Sequence, residues 1–256
     1  MRKLHLKKVN VLGIDVCDIR PERAVLLSFE AMRSHEFDTV LFLSAVGSLF
    51  CQNTPWAPEL VNGLPLVVPG DQHTELAVSR QMVEGDNGLG KFTDEYMKRF
   101  LSRMNREYRE IFAVTSQQDR LTDLDAYLTE NYPNITMQGM VYESDTEGGA
   151  DKVVNEINAH IPDALLLLLP VADQLMFLKD YSPMMNTRLC ICIESLHPFI
   201  VKETISVPRW IRVLHLESLY RWFNREEKLE RTIAGSIFKK KVNEDSQTEA
   251  GHDEQN

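Results

Sequence analysis

Apolar positions along this chain fall into short continuous runs separated by stretches of helical spacing. Val9-Asn10-Val11-Leu12-Gly13-Ile14 is a β-like run ending in a turn glycine. Pro21 opens a helix through about Ser34, with Ala24, Leu27 and Ala31 near helical spacing. Thr39–Leu43 and Leu64–Val68 read as strands, with a proline-containing loop or broken helix over Asn53–Asn62 between them. Thr74 to about Glu84 reads as a helix, Gly85–Gly90 as a glycine-rich break, and Thr93–Glu107 as a helix with Phe100 and Met104 inward. Ile111–Val114 is a strand, and the helix after it runs to about Tyr132, where Pro133 stops it. Ile135–Tyr142, Ala164–Leu169 and Leu189–Ile193 read as strands, with helices over Asp151–His160 and Leu175–Asp180 between them.

Strands alternating with helices predict an α/β fold, Rossmann-like, with layers of helices on a mostly parallel sheet. Uninterrupted apolar strands such as Leu165–Leu169 suit a sheet buried on both faces. Such sheets bind ligands beyond the carboxyl ends of their strands. The loops Ser44–Gly47, Pro69–His73, Thr115–Gln118 and Pro170–Gln174 are therefore where chemistry is expected.

The pattern changes at Pro208. From there to Arg231, Trp210, Ile211, Leu214, Tyr220, Trp222 and Phe223 alternate with Arg209, Arg212, Arg221 and Arg225. Pro208 suits the first position of a helix, and a helix sets Arg221 and Arg225 one turn apart. A basic, aromatic, amphipathic helical segment can grip phosphate through forked guanidinium donors, lie on an anionic membrane surface, or simply pack its apolar side and solvate its arginines. Lys239-Lys240-Lys241 and the acidic run to Asn256 read as a disordered polar tail. The expected division is an α/β domain over 1–207, the basic aromatic segment over 208–238, and the tail over 239–256.

The chain has 256 residues, enough for a sizeable core, and its 43% hydrophobic and 26% charged content is ordinary for a globular protein. A net charge of −10 argues against general nucleic-acid binding. The four cysteines, Cys17, Cys51, Cys190 and Cys192, read as buried reduced thiols, because no neighbouring Cys or His completes a zinc set. Asp145 and Asp151 lie in a polar loop rather than at a strand end, so neither a metal nor another cofactor is expected. Met1–Lys8 is basic with no apolar stretch after it, and no run is long enough to span a bilayer. A cytoplasmic location is the expectation, with the basic segment able to make a peripheral contact with the inner face of the membrane.

Pro208-Arg-Trp210 followed by Leu216-Glu-Ser-Leu-Tyr-Arg-Trp222 resembles the C-terminal signature of the WecB/TagA/CpsF glycosyltransferases. The resemblance runs collinearly from Val9 to Arg231. Val9-Asn10-Val11-Leu12-Gly13 is similar to the family's opening, Tyr132-Pro133-Asn134-Ile135 with Gly139 to its middle, and Ile157-Asn158 with Pro162-Asp163 to the entry of its central strand. The crevice loops depart from the family pattern. Ser44-Ala45-Val46 stands for Thr-x-Asn, Pro69-Gly70-Asp71 for Pro-Asp-Gly, Thr115-Ser116 for Gly-Gly, and Gln174-Leu175 for Gln-Glu. The family's late Gly-Gly-x-Phe-Asp is replaced around Glu194–Pro198.

The resemblance implies an inverting, metal-independent transfer of an N-acetylhexosamine-type sugar. The donor would be a UDP-sugar and the acceptor a polyprenyl-diphosphate-linked glycan, for bacterial cell-surface polysaccharide or teichoic acid. Asp71 would be the base, or a turn aspartate capping the next helix. Ser44, Thr115 and Ser116 would bind sugar or diphosphate, or serve as turn hydroxyls. Gln174 would bind uracil or ribose, or cap a helix. Arg209, Arg221 and Arg225 would neutralise the departing diphosphate and dock on the membrane surface. His73, beside Asp71, reads as structural or exposed. A homo-oligomer is compatible with the sequence. The altered loops also fit a relative without catalysis that binds a nucleotide-sugar, a lipid head group or a protein partner.

Overall fold

The computed structural model describes residues 6–34, 36–81, 92–142, 146, 148–194, 196 and 234–245. The chain opens with a hairpin of β1 (Lys8–Val11) and β2 (Ile14–Cys17), paired antiparallel with Val11 opposite Ile14. Its two turn residues, Leu12 and Gly13, both have positive φ, at 52° and 84°. That pair of angles matches the right-handed twist of a hairpin. The Asn10 side chain accepts from Gly13 N–H at 3.0 Å and closes the turn. The apolar pattern suggested one run here, not two strands; β2 is only four residues long and its alternation is too brief to register.

The chain continues with α1 (Pro21–Met32), β3 (Asp38–Leu43), α2 (Ala45–Asn53), α3 (Ala57–Gly63), β4 (Leu66–Pro69), α4 (Gln72–Gln81) and α5 (Phe92–Arg106). The second half runs β5 (Glu110–Thr115), α6 (Gln118–Asn131), β6 (Thr136–Val141), α7 (Gly149–His160), β7 (Ala164–Leu168), α8 (Val171–Tyr181) and β8 (Leu189–Cys192). Asn53–Asn62 is thus two helices broken around Pro55. Six parallel strands form one sheet in the order β4-β3-β8-β7-β5-β6.

Alternate residues of each central strand feed two separate cores. Leu41, Leu43, Phe112, Val114, Leu165, Leu167, Cys190 and Cys192 pack under α2, α3, α7 and α8. Val40, Phe42, Ile111, Ala113, Leu166, Leu168, Leu189 and Ile191 pack under α1, α5 and α6. Burial on both faces is why these strands carry no polar alternation.

Tyr96 of α5 shows how tightly the second core is specified. It is fully buried, its ring meets Phe42 edge-on at 5.0 Å, and its hydroxyl shares a 2.6 Å hydrogen bond with Ser28 of α1. Burial pushes its phenol pKa far up, so the hydroxyl stays neutral. Tyr96→Phe is expected to cost about 1 kcal/mol, or roughly 2–4 °C in melting temperature by calorimetry, the scale of one buried neutral hydrogen bond.

Residues 234–245 form a further helix, α9, with Phe238 and Val242 buried in the first core. A boundary at residue 239 therefore falls inside a packed helix. Phe238 and Val242 lie one turn apart and make its apolar stripe, while Lys239, Lys240 and Lys241 fill the other sides; Lys241 donates to Gln52 at 2.6 Å. The segment 208–233 lies outside the described residues, as does the stretch 246–256.

Candidate functional site

Among the described residues, five helices begin at the carboxyl edge of the sheet: α2 after β3, α4 after β4, α6 after β5, α7 after β6 and α8 after β7. Each turns the N–H groups of its first turn and the positive end of its dipole toward that edge, a field that suits phosphate. After β5 the chain moves outward to β6, whereas after β7 it moves to β8 on the opposite side. The loops after β5 and β7 therefore diverge and open a crevice between them.

Asp71 and Ser44 are brought together on neighbouring strands. Asp71 precedes α4 as its N-cap: its Oδ1 accepts from Thr74 N–H at 2.9 Å, and its backbone N–H donates back to Thr74 Oγ1 at 3.2 Å. This reciprocal pairing is a capping box with threonine at the third helical position. Asp71 Oδ2 accepts from Ala45 N–H, at the start of α2, at 2.9 Å. One carboxylate thus ties the loops after β3 and β4. The helix expected from Thr74 begins at Gln72, because the cap is Asp71. Ser44 caps α2, with Oγ accepting from Gly47 N–H at 2.9 Å.

Gly70 is the point of closest approach. A Cβ there would lie 2.7 Å from the Phe42 carbonyl carbon and oxygen. Its φ is not in the left-handed region, so glycine is needed for space rather than for unusual backbone angles.

Thr115, Ser116 and Gln174 form a second group at the divergent loops. Thr115 is fully buried and its hydroxyl donates to Gln117 O at 2.9 Å. Ser116 is half-buried, with no hydrogen bond to the other described residues. Gln174 is 1% exposed and lies inside α8, whose N-cap is Pro170. Its Nε2 donates to Leu167 O at 3.1 Å and Leu169 O at 2.8 Å. Both partners are carbonyls, so this amide orientation is forced. Its Oε1 is buried with no partner among the described residues.

The two groups stand apart. Four strand intervals separate β4 from β5, roughly 19 Å at the ~4.8 Å strand spacing. The first turns of α2 and α8 bridge the middle of that span: a Cβ on Gly47 would be 3.3 Å from Val171 Cγ2. His73 belongs to α4, half-buried, with its ring against Gly235 of α9 and its Nδ1 without a partner among the described residues. Arg209, Arg221 and Arg225 lie outside the described residues.

Two residues that tie α5 to this edge carry no pattern that sequence reasoning detects. Thr93 Oγ1 donates to Gly70 O at 3.0 Å, and Phe92 N–H donates to Glu75 Oε1 at 2.5 Å. Both bonds bridge segments distant in sequence.

Among the described residues, no group of three or more His, Cys, Asp or Glu side chains is gathered as a metal site. All four cysteines are free and buried, with Cys190 and Cys192 sulfurs 3.7 Å apart. Burial pushes the Cys51 thiol up to about 11. Cys190 is raised well above the usual thiol range, by burial first and then by Cys192. Such thiols are packing groups, not nucleophiles.

The family model described as Glycosyl transferase WecG/TagA/CpsF family matches residues 9–242, from the hairpin through every carboxyl-edge loop and into α9. The chain matches no curated protein.

Proposed function

We propose that this chain, which belongs to the WecG/TagA/CpsF glycosyltransferase family, moves an N-acetylhexosamine-type sugar from a UDP-sugar to a polyprenyl-diphosphate-linked acceptor. The product is a precursor of bacterial cell-surface polysaccharide or teichoic acid. The observation that carries the reading is the extent of the family match, which takes in the whole sheet and the loops at its carboxyl edge.

In this reading the acceptor hydroxyl oxygen attacks the anomeric carbon, the bond from that carbon to the diphosphate oxygen breaks, and UDP leaves with inversion. Asp71 takes the acceptor's proton. Among the described residues its Oδ2 has a single partner, Ala45 N–H, and a carboxylate oxygen has a second lone pair that an approaching hydroxyl can use. Charge growing on the diphosphate is met by helix N-termini, by the Ser116 hydroxyl, and by Arg209, Arg221 and Arg225, without a metal. Gln174 keeps one buried acceptor, Oε1, for a donor N–H such as that of uracil. No helix among the described residues is long and apolar enough to cross a membrane. The acceptor is then reached from the cytoplasmic face, with the segment 208–231 as a peripheral contact.

One observation favours a second reading, a relative that binds without catalysing. Asp71 and Ser44 cap helices, and Thr115 closes its own loop, so three of the candidate groups already serve the fold. Release of UDP from candidate UDP-sugars, with and without a lipid-linked acceptor, separates the two. Acceptor-dependent release is the expected result. Saturable binding of UDP with no release from any donor and acceptor pair would favour the second reading.

A further inference from the structure

The peptide unit joining Gly70 to Asp71 is held from both sides. On its N–H side, Asp71 donates to Thr74 Oγ1 at 3.2 Å, a local bond within the cap of α4. On its carbonyl side, Gly70 O accepts from Thr93 Oγ1 at 3.0 Å, a bond that comes from α5, twenty-three residues further along. The orientation of this plane sets the direction in which the Asp71 Cα–Cβ bond leaves the loop. The loop has little other freedom, because Gly70 N–H is fixed on Leu43 O at 2.7 Å.

Thr93 is itself anchored. Its neighbour Phe92 packs its ring against Phe42 of β3 at 6.2 Å, and the Phe92 N–H is held by Glu75 of α4. Tyr96, one turn on, packs against the same Phe42 ring. The start of α5 is thus rigid against both β3 and α4, and its hydroxyl reaches the loop from a fixed base.

We infer that Thr93 is a positioning residue for Asp71: its hydroxyl locks the Gly70–Asp71 peptide plane and so aims the carboxylate, with Glu75 holding Thr93 in register. The functional half of this inference rests on the reading of Asp71 as the base; the mechanical half does not. Removing a positioning group misplaces a reacting atom without removing substrate contacts. A misplacement of about 1 Å can cost about 10²-fold in rate. The loss belongs in kcat, with KM for the sugar donor nearly unchanged.

The test compares Thr93→Val, Thr93→Ser and Tyr96→Phe. Valine keeps the β-branched shape but not the donor; serine keeps the donor. Tyr96→Phe removes a comparable buried hydroxyl from the same helix, away from the loop, and controls for stability alone. In Thr93→Val, kcat should fall at least about tenfold while KM for the UDP-sugar stays within about twofold. Thr93→Ser should recover to within about threefold of wild type, and Tyr96→Phe should match wild type. Amide hydrogen exchange at Asp71 and Thr74 should quicken about fivefold or more in Thr93→Val only, as expected for loss of one hydrogen bond. Wild-type exchange at those amides in Thr93→Val would overturn the inference. So would an active Thr93→Val with unchanged kcat, or equal losses in the valine and serine variants. Faster exchange in Thr93→Val with no UDP release from the wild type would uphold the positioning and overturn the base instead.

Discussion

Replacing Gly70 by alanine is expected to lower the melting temperature by roughly 6–12 °C, about 3 kcal/mol at the usual conversion for a chain of this size. The added Cβ would sit 2.7 Å from the backbone carbonyl of Phe42 and 2.9 Å from the carbonyl carbon of Leu43. These are main-chain atoms of β3 in the interior of a six-stranded sheet, and they cannot turn aside as a flexible side chain would. Gly70 N–H also donates to Leu43 O at 2.7 Å, so relieving the clash breaks a bond at the same place. Gly13 supplies the contrast. It has φ of 84° and open space around its Cβ position, so Gly13→Ala should cost only the backbone strain, about 1 kcal/mol. Scanning calorimetry of the two variants checks both. A Gly70→Ala protein melting within 2 °C of wild type would mean that the β3–β4 approach is looser than it stands here.

The same glycine marks where sequence reading stops. The central strands β3, β5, β7 and β8 were legible because each is buried on both faces and so appears as a nearly unbroken apolar run, whereas β6, at the sheet edge and only half-buried, carries Thr136, Gln138 and Gly139 among its apolar residues. Most helices were legible from their spacing, Phe100 and Met104 of α5 among them, but α2 was not, its first residues reading as a loop after β3. A turn with proline, glycine and aspartate at the end of β4 was equally visible. What each does there was not. A glycine in a turn ordinarily supplies freedom of backbone angles, but Gly70 is a gap for the Phe42 carbonyl, and no local pattern reveals a contact made 28 residues away. The cap on α4 was readable in principle, since Asp71 and Thr74 stand at capping-box spacing; placing the helix start at Thr74 hid it. Phe238 and Val242 stand at helical spacing too, but the three lysines between them give the stretch the charge pattern of a polar tail. Thr93 and Glu75 carry no signal at all: one threonine in a helix and one glutamate in another become a strut only when the sheet brings α4 and α5 together.

The largest functional effect is expected from Asp71→Asn. If Asp71 is the base, turnover should fall by about 10²–10⁴-fold, while UDP affinity changes little. The fold complicates this variant in a way that can be worked out beforehand. Asparagine is as good an N-cap as aspartate, so its single oxygen can keep Thr74 N–H and the start of α4. Its amide nitrogen would then face Ala45 N–H, a donor against a donor where Oδ2 now accepts at 2.9 Å. The cost is about 1–3 kcal/mol of stability, the price of one unsatisfied buried group. Turnover should therefore be measured well below the variant's melting temperature, beside Asp71→Ser, which keeps a capping oxygen but cannot reach Ala45 in the same way. If Asp71 is the base, both variants lose turnover by similar factors, whatever their difference in stability. If it only joins the β3 and β4 loops, turnover follows stability, and the variant nearer wild type in melting temperature stays within a few-fold of it in rate. That second pattern would assign the acceptor's proton to water or to another group and leave Asp71 as the cap and tie that its carboxylate's hydrogen bonds to Ala45 and Thr74 describe.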